Sequence, residues 1–232
     1  MILLLTGAGI SQESGIATFR GSNGLWEKEK VEDIATPEGF KRDPERVNGF
    51  YNARRAHLLS GTVSPNPAHH ALAQLEAEAP EQIILVTQNI DNLHERAGSK
   101  EVLHMHGELL KAYCPACKSP MYWDRDIAQH DRCSVCGRAG TLRPHVVWFG
   151  EIPLCLDEIG DALRYCRLFV SVGTSGVVQP AAGFAARAKK NGARIVELNL
   201  EKALPDYIVD EGHYGKASKI VPAWVESVLG TS

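Results

Sequence analysis

Ile2-Leu3-Leu4-Leu5-Thr6-Gly7-Ala8-Gly9-Ile10-Ser11 is the stretch on which the fold turns. The apolar run from Ile2 to Leu5 is far too short to cross a bilayer. It also lacks the basic segment and longer apolar stretch of a secretory signal. A short continuous apolar run is how a parallel strand buried on both faces reads. Gly7-Ala8-Gly9 then turns the chain into Ile10–Ser14, which reads as the start of a helix. Glycines between a strand and a helix let backbone approach a pyrophosphate at the helix N-terminus. The GxGxxG fingerprint is incomplete, because position 12 is Gln, and a tight strand-to-helix turn explains the same glycines.

Working outward, Ala68–Ala79 is rich in helix formers and stops at Pro80. Gln82–Thr87 reads as a second buried strand, Val102–His106 as a short third, and Leu168–Val172 as a strand ending in Gly173. Ala181–Lys190 reads as a helix and Ala193–Leu198 as another strand. Strands alternating with helices predict an α/β fold, a Rossmann-like parallel sheet covered on both faces. Two stretches interrupt the rhythm and read as a smaller inserted domain: a helical module over 22–60 and a cysteine-bearing module over 111–143. Residues 1–21, 61–110 and 144–232 then form the nucleotide-binding domain. In open α/β sheets ligands bind at the carboxyl ends of strands, which is where Gly7–Ser11, Gln88-Asn89-Ile90-Asp91 and Gly173-Thr174-Ser175 fall.

Four of the six cysteines form Cys114-x2-Cys117-x15-Cys133-x2-Cys136. That spacing suits a structural zinc site, in which four thiolates close the tetrahedral shell and leave no place for water. Without an export signal the array favours metal over disulfides and a reducing cytoplasm. Cys155 and Cys166 stand apart and read as packing residues.

His104 and His106 lie two apart on an expected strand, hence on one side of it, beside the ligand loops. Such a histidine is structural or catalytic. Tyr51 and Arg54 lie three apart and share a face if helical, with Arg55 turned about 100° away. A phenol and a guanidinium suit a carboxylate, although a solvated helix face has the same pattern.

The 232 residues are 44% hydrophobic and 23% charged, with a formal net charge of −3. That balance gives no reason to expect non-specific binding to nucleic acid or an anionic membrane.

Taken together, the motifs resemble the sirtuin, or silent-information-regulator, family. The match runs in order through GAGISQESGIATFR (7–20), TQNID (87–91), HMHGE (104–108), the four cysteines, VVWFGE (146–151), GTS (173–175) and ELN (197–199). EDIATPEGF (32–40) and FYNARR (50–55) look like the bacterial and mitochondrial subgroup that removes succinyl and malonyl groups. The chain starts almost at its first strand, so the N-terminal extension of some members is expected to be missing. Trp148 stands where many members carry Phe.

The resemblance implies an NAD-dependent protein-lysine deacylase, acyltransferase or hydrolase in type, acting on acyl-lysine proteins or peptides. NAD would be consumed as co-substrate, with one structural zinc ion in the ribbon. Nicotinamide leaves the ribose, and the acyl-lysine carbonyl oxygen attacks the exposed carbon. His106 then takes a proton from a ribose hydroxyl, and nicotinamide, free lysine and O-acyl-ADP-ribose result. His106 and Asn89 are the implied catalytic residues. The implied NAD contacts are Gly7, Ala8, Gly9, Ser11, Phe19, Arg20, Gln88, Asn89, Ile90, Asp91, Gly173, Thr174, Ser175, Asn199 and Ala217. Val147, Phe149, Gly150 and Glu151, with Gly176, Val177 and Val178, would flank the peptide as strands. Tyr51 and Arg54 would read a distal carboxylate, with Ala35 leaving room for it. Neither nucleic acid nor membrane is an expected partner, and a monomer is compatible with everything above. The competing activities are an NAD-dependent dehydrogenase, disfavoured by Gln12, a zinc-ribbon nucleic-acid module, disfavoured by charge, and ADP-ribosyl transfer, which shares the NAD chemistry.

Overall fold

The computed structural model describes residues 1–18, 30–79 and 82–230. Six parallel strands form its centre: β1 (Ile2–Thr6), β2 (Ile83–Thr87), β3 (Val102–His104), β7 (Leu168–Val172), β8 (Arg194–Asn199) and β9 (Glu211–Tyr214). Their spatial order is β3-β2-β1-β7-β8-β9. The chain thus builds one half of the sheet outward from β1 and the other outward from β7. The order reverses between these two strands, which opens a crevice at their carboxyl ends.

Every side chain of β1 is buried. Leu3 and Leu5 enter one apolar layer with Phe169, Ile195, and residues of helices α6 (Leu156–Tyr165) and α7 (Phe184–Lys190). Ile2 and Leu4 enter the opposite layer with Leu85, Val170, Val196, and residues of α4 (Pro67–Glu78) and α8 (Ala217–Leu229). Alternation across a strand covered on both faces accounts for the unbroken apolar run.

The expected helix from Ile10 is instead two single 3₁₀ turns, Ala8–Ile10 and Gln12–Ser14, closed by Gly15 at φ +90°. The third strand also ends earlier than expected, at His104. The chain turns through Met105 and His106 to Gly107, where φ is +82° and a Cβ would meet the His145 carbonyl oxygen. His104 and His106 therefore do not lie on one strand. From Gly107 runs β4 (Gly107–Cys114), flanked antiparallel by β5 (Ser119–Tyr122) and β6 (Arg143–Val146). This is the small second sheet that carries the cysteines.

Helices α1 (Val31–Ile34), α2 (Pro37–Arg42) and α3 (Pro44–Leu59) cover the space between the two sheets. Thr36 and Asp43 cap α2 and α3, each followed by proline at the first helical position. The Asn52 amide of α3 both donates to the Ile127 carbonyl at 3.1 Å and accepts from the Ile127 N–H at 2.9 Å. Arg55, fully buried, donates to Leu109 O at 3.0 Å and Asn52 Oδ1 at 2.8 Å. Its separate face thus has a purpose, to pin α3 to the cysteine-bearing sheet.

Candidate active site

The crevice between β1 and β7 continues as a cleft of about 1080 Å³ that reaches the small sheet. Gly7, Ala8, Gly9, Gln88, Asn89, Ile90, Gly173, Thr174, Ser175 and Asn199 line its wall on the side of the parallel sheet. His106, Ala35, Tyr51, Val147, Phe149, Gly150, Glu151 and Val178 line the rest. A smaller cavity of about 140 Å³ shares Ala8, Asn89 and Ile90 with it and adds Ser11, Asp91 and Arg54. Gly176, Val177 and Ala217 line neither cavity. Phe19 and Arg20 lie outside the described residues.

The glycines act first on each other. A Cβ on Gly9 would lie 2.8 Å from the Gly173 Cα, and one on Gly173, where φ is +58°, would lie 2.5 Å from the Ile10 nitrogen. Gly9 N donates to Gly173 O at 2.8 Å. The loops after β1 and β7 thus touch backbone to backbone, and only glycine permits that approach. Gln88 and Asn199 tie in the same region, donating to Thr174 Oγ1 at 3.0 Å and Thr174 O at 2.9 Å. Both amide protons of Asn89 are engaged, by Gly7 O at 3.1 Å and Ser11 Oγ at 3.2 Å. Ser11 in turn donates to Asp91 Oδ2 at 3.0 Å. Burial holds the Asp91 carboxyl above its ordinary range, against the pull of its bonds from Leu93 N–H and Ser11.

The two histidines have opposite electrostatics. His106 Nδ1 lies 3.0 Å from the Gln88 carbonyl oxygen, which can only accept, so Nδ1 carries the proton. Burial lowers the pKa of His106, partly offset by that bond, so the ring is neutral and Nε2 is its basic atom. His104 meets acceptors at both nitrogens, Asn89 O at 3.3 Å and Glu95 Oε1 at 2.5 Å. Burial opposes its charge, but the Glu95 carboxylate outweighs burial and raises the pKa. His104 is thus ion-paired with Glu95, whereas His106 lines the cleft with Nδ1 on a backbone carbonyl.

Tyr51 is buried, and desolvation pushes its phenol up to about 12 despite the indole bond from Trp148. Arg54 lies with its guanidinium over the Phe50 ring and donates to Phe50 O at 2.7 Å. Tyr51 and Arg54 thus line different cavities, although the Arg54 charge still acts on the phenol.

The four cysteine sulfurs lie within 4.8 Å of one another. Cys114 and Cys136 are 3.8 Å apart and Cys117 and Cys133 are 3.6 Å apart. Tetrahedral zinc with bonds of 2.3 Å sets sulfurs about 3.8 Å apart, so the four thiolates fit the ion. Cys166 is buried in the parallel-sheet core, and Cys155 packs against it.

Sequence reasoning missed the far wall of the cleft, Leu200, Glu201, Lys202 and Ala203. Glu197, fully buried within the ELN motif, holds that loop. Its carboxylate accepts from Ala203 N at 3.0 Å, Leu204 N at 2.9 Å and the Tyr214 hydroxyl at 3.0 Å. A glutamate inside an apolar strand was the available signal. Among the described residues, no helix is long and apolar enough to cross a membrane.

The Sir2 family model matches residues 7–180. The chain belongs to the Sir2 family. The NAD-dependent protein deacylase SIR2rp3 of Leishmania major is 58% identical, over 100% of this chain and 96% of its own length. The NAD-dependent protein deacylase of Escherichia coli (strain K12) is 55% identical, over 98% of this chain and 82% of its own. A crystal structure of a Sir2 homologue–NAD complex is 38% identical, with TM-score 0.89 and coverage of 99% and 90% of the two chains. A Sir2 structure with a deacetylated p53 peptide and 3′-O-acetyl ADP ribose is 31% identical, with TM-score 0.81 over 98% and 93%. This Sir2 chain therefore shares its fold, over nearly its whole length, with proteins seen holding those ligands.

Proposed function

We propose that this Sir2 protein is an NAD-dependent protein-lysine deacylase that removes acetyl groups and also succinyl and malonyl groups. The observation that carries the reading is the neutral His106 in the cleft wall, its Nδ1 proton held by Gln88 and its Nε2 basic. The relatives named above and the complexes with NAD and peptide support it. NAD supplies a ribosyl carbon from which nicotinamide departs. Gly7, Ala8, Gly9, Gly173, Thr174, Ser175 and Asn199 are assigned to the dinucleotide, with Gln88 at the ribose beside nicotinamide. Asn89, Ile90, Asp91 and Ser11 are assigned to nicotinamide and the reacting ribose. His106 Nε2 accepts the proton of a ribose hydroxyl, a task suited to an imidazole that is neutral at cellular pH. The products would be nicotinamide, free lysine and O-acyl-ADP-ribose.

Val147, Phe149, Gly150 and Glu151 on one side, and Gly176, Val177 and Val178 on the other, are assigned to the peptide backbone. Tyr51 in the cleft beside Ala35, and Arg54 in the adjoining cavity that shares Ala8, Asn89 and Ile90 with it, are assigned to the distal carboxylate. The phenol remains a donor because it keeps its proton, and Arg54 adds the charge. Cys114, Cys117, Cys133 and Cys136 hold a zinc ion that is structural, since four thiolates leave no open position. A reducing cytoplasm belongs to the same reading, because the thiolates must stay unoxidised.

The test is kcat/KM on matched acetyl-, succinyl- and malonyl-lysine peptides with nicotinamide as readout. Nicotinamide release dependent on acyl-peptide is the expected result. NADH formation instead would make the protein a dehydrogenase.

A further inference from the structure

Trp148 is buried in the cleft wall between Tyr51 and Arg143. Its indole Nε1 donates to the Tyr51 phenol oxygen at 3.1 Å, and its backbone N donates to Glu151 Oε2 at 2.9 Å. The Arg143 guanidinium lies 3.6 Å over the indole. Arg143 donates to both Glu151 carboxylate oxygens, at 2.6 and 2.8 Å, and to Val146 O at 2.8 Å. The Glu151 carboxylate is thus spent on holding its own loop. On the other side, the Phe40 ring lies 5.2 Å from that of Trp148. Arg143, Glu151 and Phe40 together leave the indole little freedom to turn.

An indole N–H only donates, so it fills an acceptor position of the phenol and leaves the phenol its own proton to give. Among the described residues, no acceptor takes that proton. We propose that Trp148 is a specificity-determining positioning residue. It engages the Tyr51 oxygen so that the phenol O–H points to the distal carboxylate of the acyl group, while Arg143 and Glu151 hold the indole in place. The proposal rests on the acidic-acyl reading above and adds a residue to it.

Trp148→Phe keeps an aromatic ring, deletes the N–H donor and also trims the fused second ring of a buried side chain, a packing loss that acts on both acyl substrates alike. Desuccinylation kcat/KM is expected to fall about tenfold, mainly through the peptide KM, with a clearly smaller loss on the acetyl peptide and no change in the KM for NAD. In a Tyr51→Phe background, where the phenol is absent, Trp148→Phe should lower desuccinylation no further. Equal losses on both peptides, or a full additional loss without the phenol, would overturn the proposal. Arg143→Lys keeps the charge but loses the planar fork. It should lower the succinyl-to-acetyl ratio in the same direction, and an unchanged ratio would remove Arg143 from the clamp. Wild type and Tyr51→Phe separate the two levels. If they share one succinyl-to-acetyl ratio, the acidic-acyl reading fails and the proposal with it. If they differ and Trp148→Phe keeps the wild-type ratio, only the proposal falls.

Discussion

In the parallel sheet, β1 buries all five of its side chains, whereas β5 of the small antiparallel sheet buries none of its four. The large sheet lies between two apolar layers. Around the cysteines the buried set is only Ala112, Cys114, Trp123, Ile127, Cys133 and Leu142. Two members of that set are metal-ligand candidates. One region holds its shape by apolar burial, while the other has little apolar core and brings four cysteines together in an arrangement that fits a metal ion. The cleft is lined from both regions, so its walls have different sources of rigidity.

The comparison breaks most readily at the metal. Cys133→Ala should lose bound metal and unfold the small sheet, since structural zinc contributes about 10–16 kcal/mol to comparable small modules. Metal content and hydrogen exchange should show loss there with protection retained in β1, β2 and β7. A variant that keeps both metal and activity would show that the ribbon does not depend on it.

His106→Ala tests chemistry at the seam rather than either framework. Deacylation should fall about 10²–10⁴-fold while the melting temperature stays near wild type. Retained turnover would take His106 out of the mechanism. The wild-type pH profile sharpens the point. His106 must be neutral to accept a proton and its pKa is lowered by burial, so activity should be lost only as pH falls below the ordinary histidine range near 6.5.

Leu4→Ala is the counterpart in the apolar region. Leu4 is completely buried, so its truncation should destabilise by about 2–5 kcal/mol through lost burial and a residual cavity. Denaturant melts would read this as a shifted midpoint without loss of metal. A loss of metal instead would mean that the two regions share one cooperative core. The smallest effect is one of selectivity. Arg54→Met should lower desuccinylation about tenfold or more with a lesser effect on deacetylation, and equal losses would end the carboxylate-clamp reading.

Much of this architecture was legible because it depends on short-range pattern. Apolar runs announced β1, β2 and β7, and Gly7 and Gly173 marked the loops that follow the first and the last of them. Paired CxxC spacing announced the cysteine cluster, whose sulfurs meet as a tetrahedral site requires. Two local readings failed for one reason: backbone geometry overrode residue preference. The segment Ile10–Ser14 tightened into 3₁₀ turns, and the run through His106 was cut at His104 because Gly107 turns beside His145. The loop from Leu200 to Ala203 carries no motif and enters the cleft only because Glu197 holds it from beneath.

By itself, the sequence determined the strands of the parallel sheet, the loops at their carboxyl ends and the two CxxC pairs, since each follows from residues within a few positions of one another. Tertiary structure alone decided how the two histidines differ. His104 and His106 look alike in the chain, yet the Glu95 carboxylate raises the pKa of one, while burial lowers that of the other against a backbone carbonyl. It also decided that Tyr51 and Arg54 line separate cavities, and that Trp148, distant in sequence, holds the Tyr51 phenol. Protonation and hydroxyl direction depend on what packs around a group, and those neighbours come from remote segments of the chain.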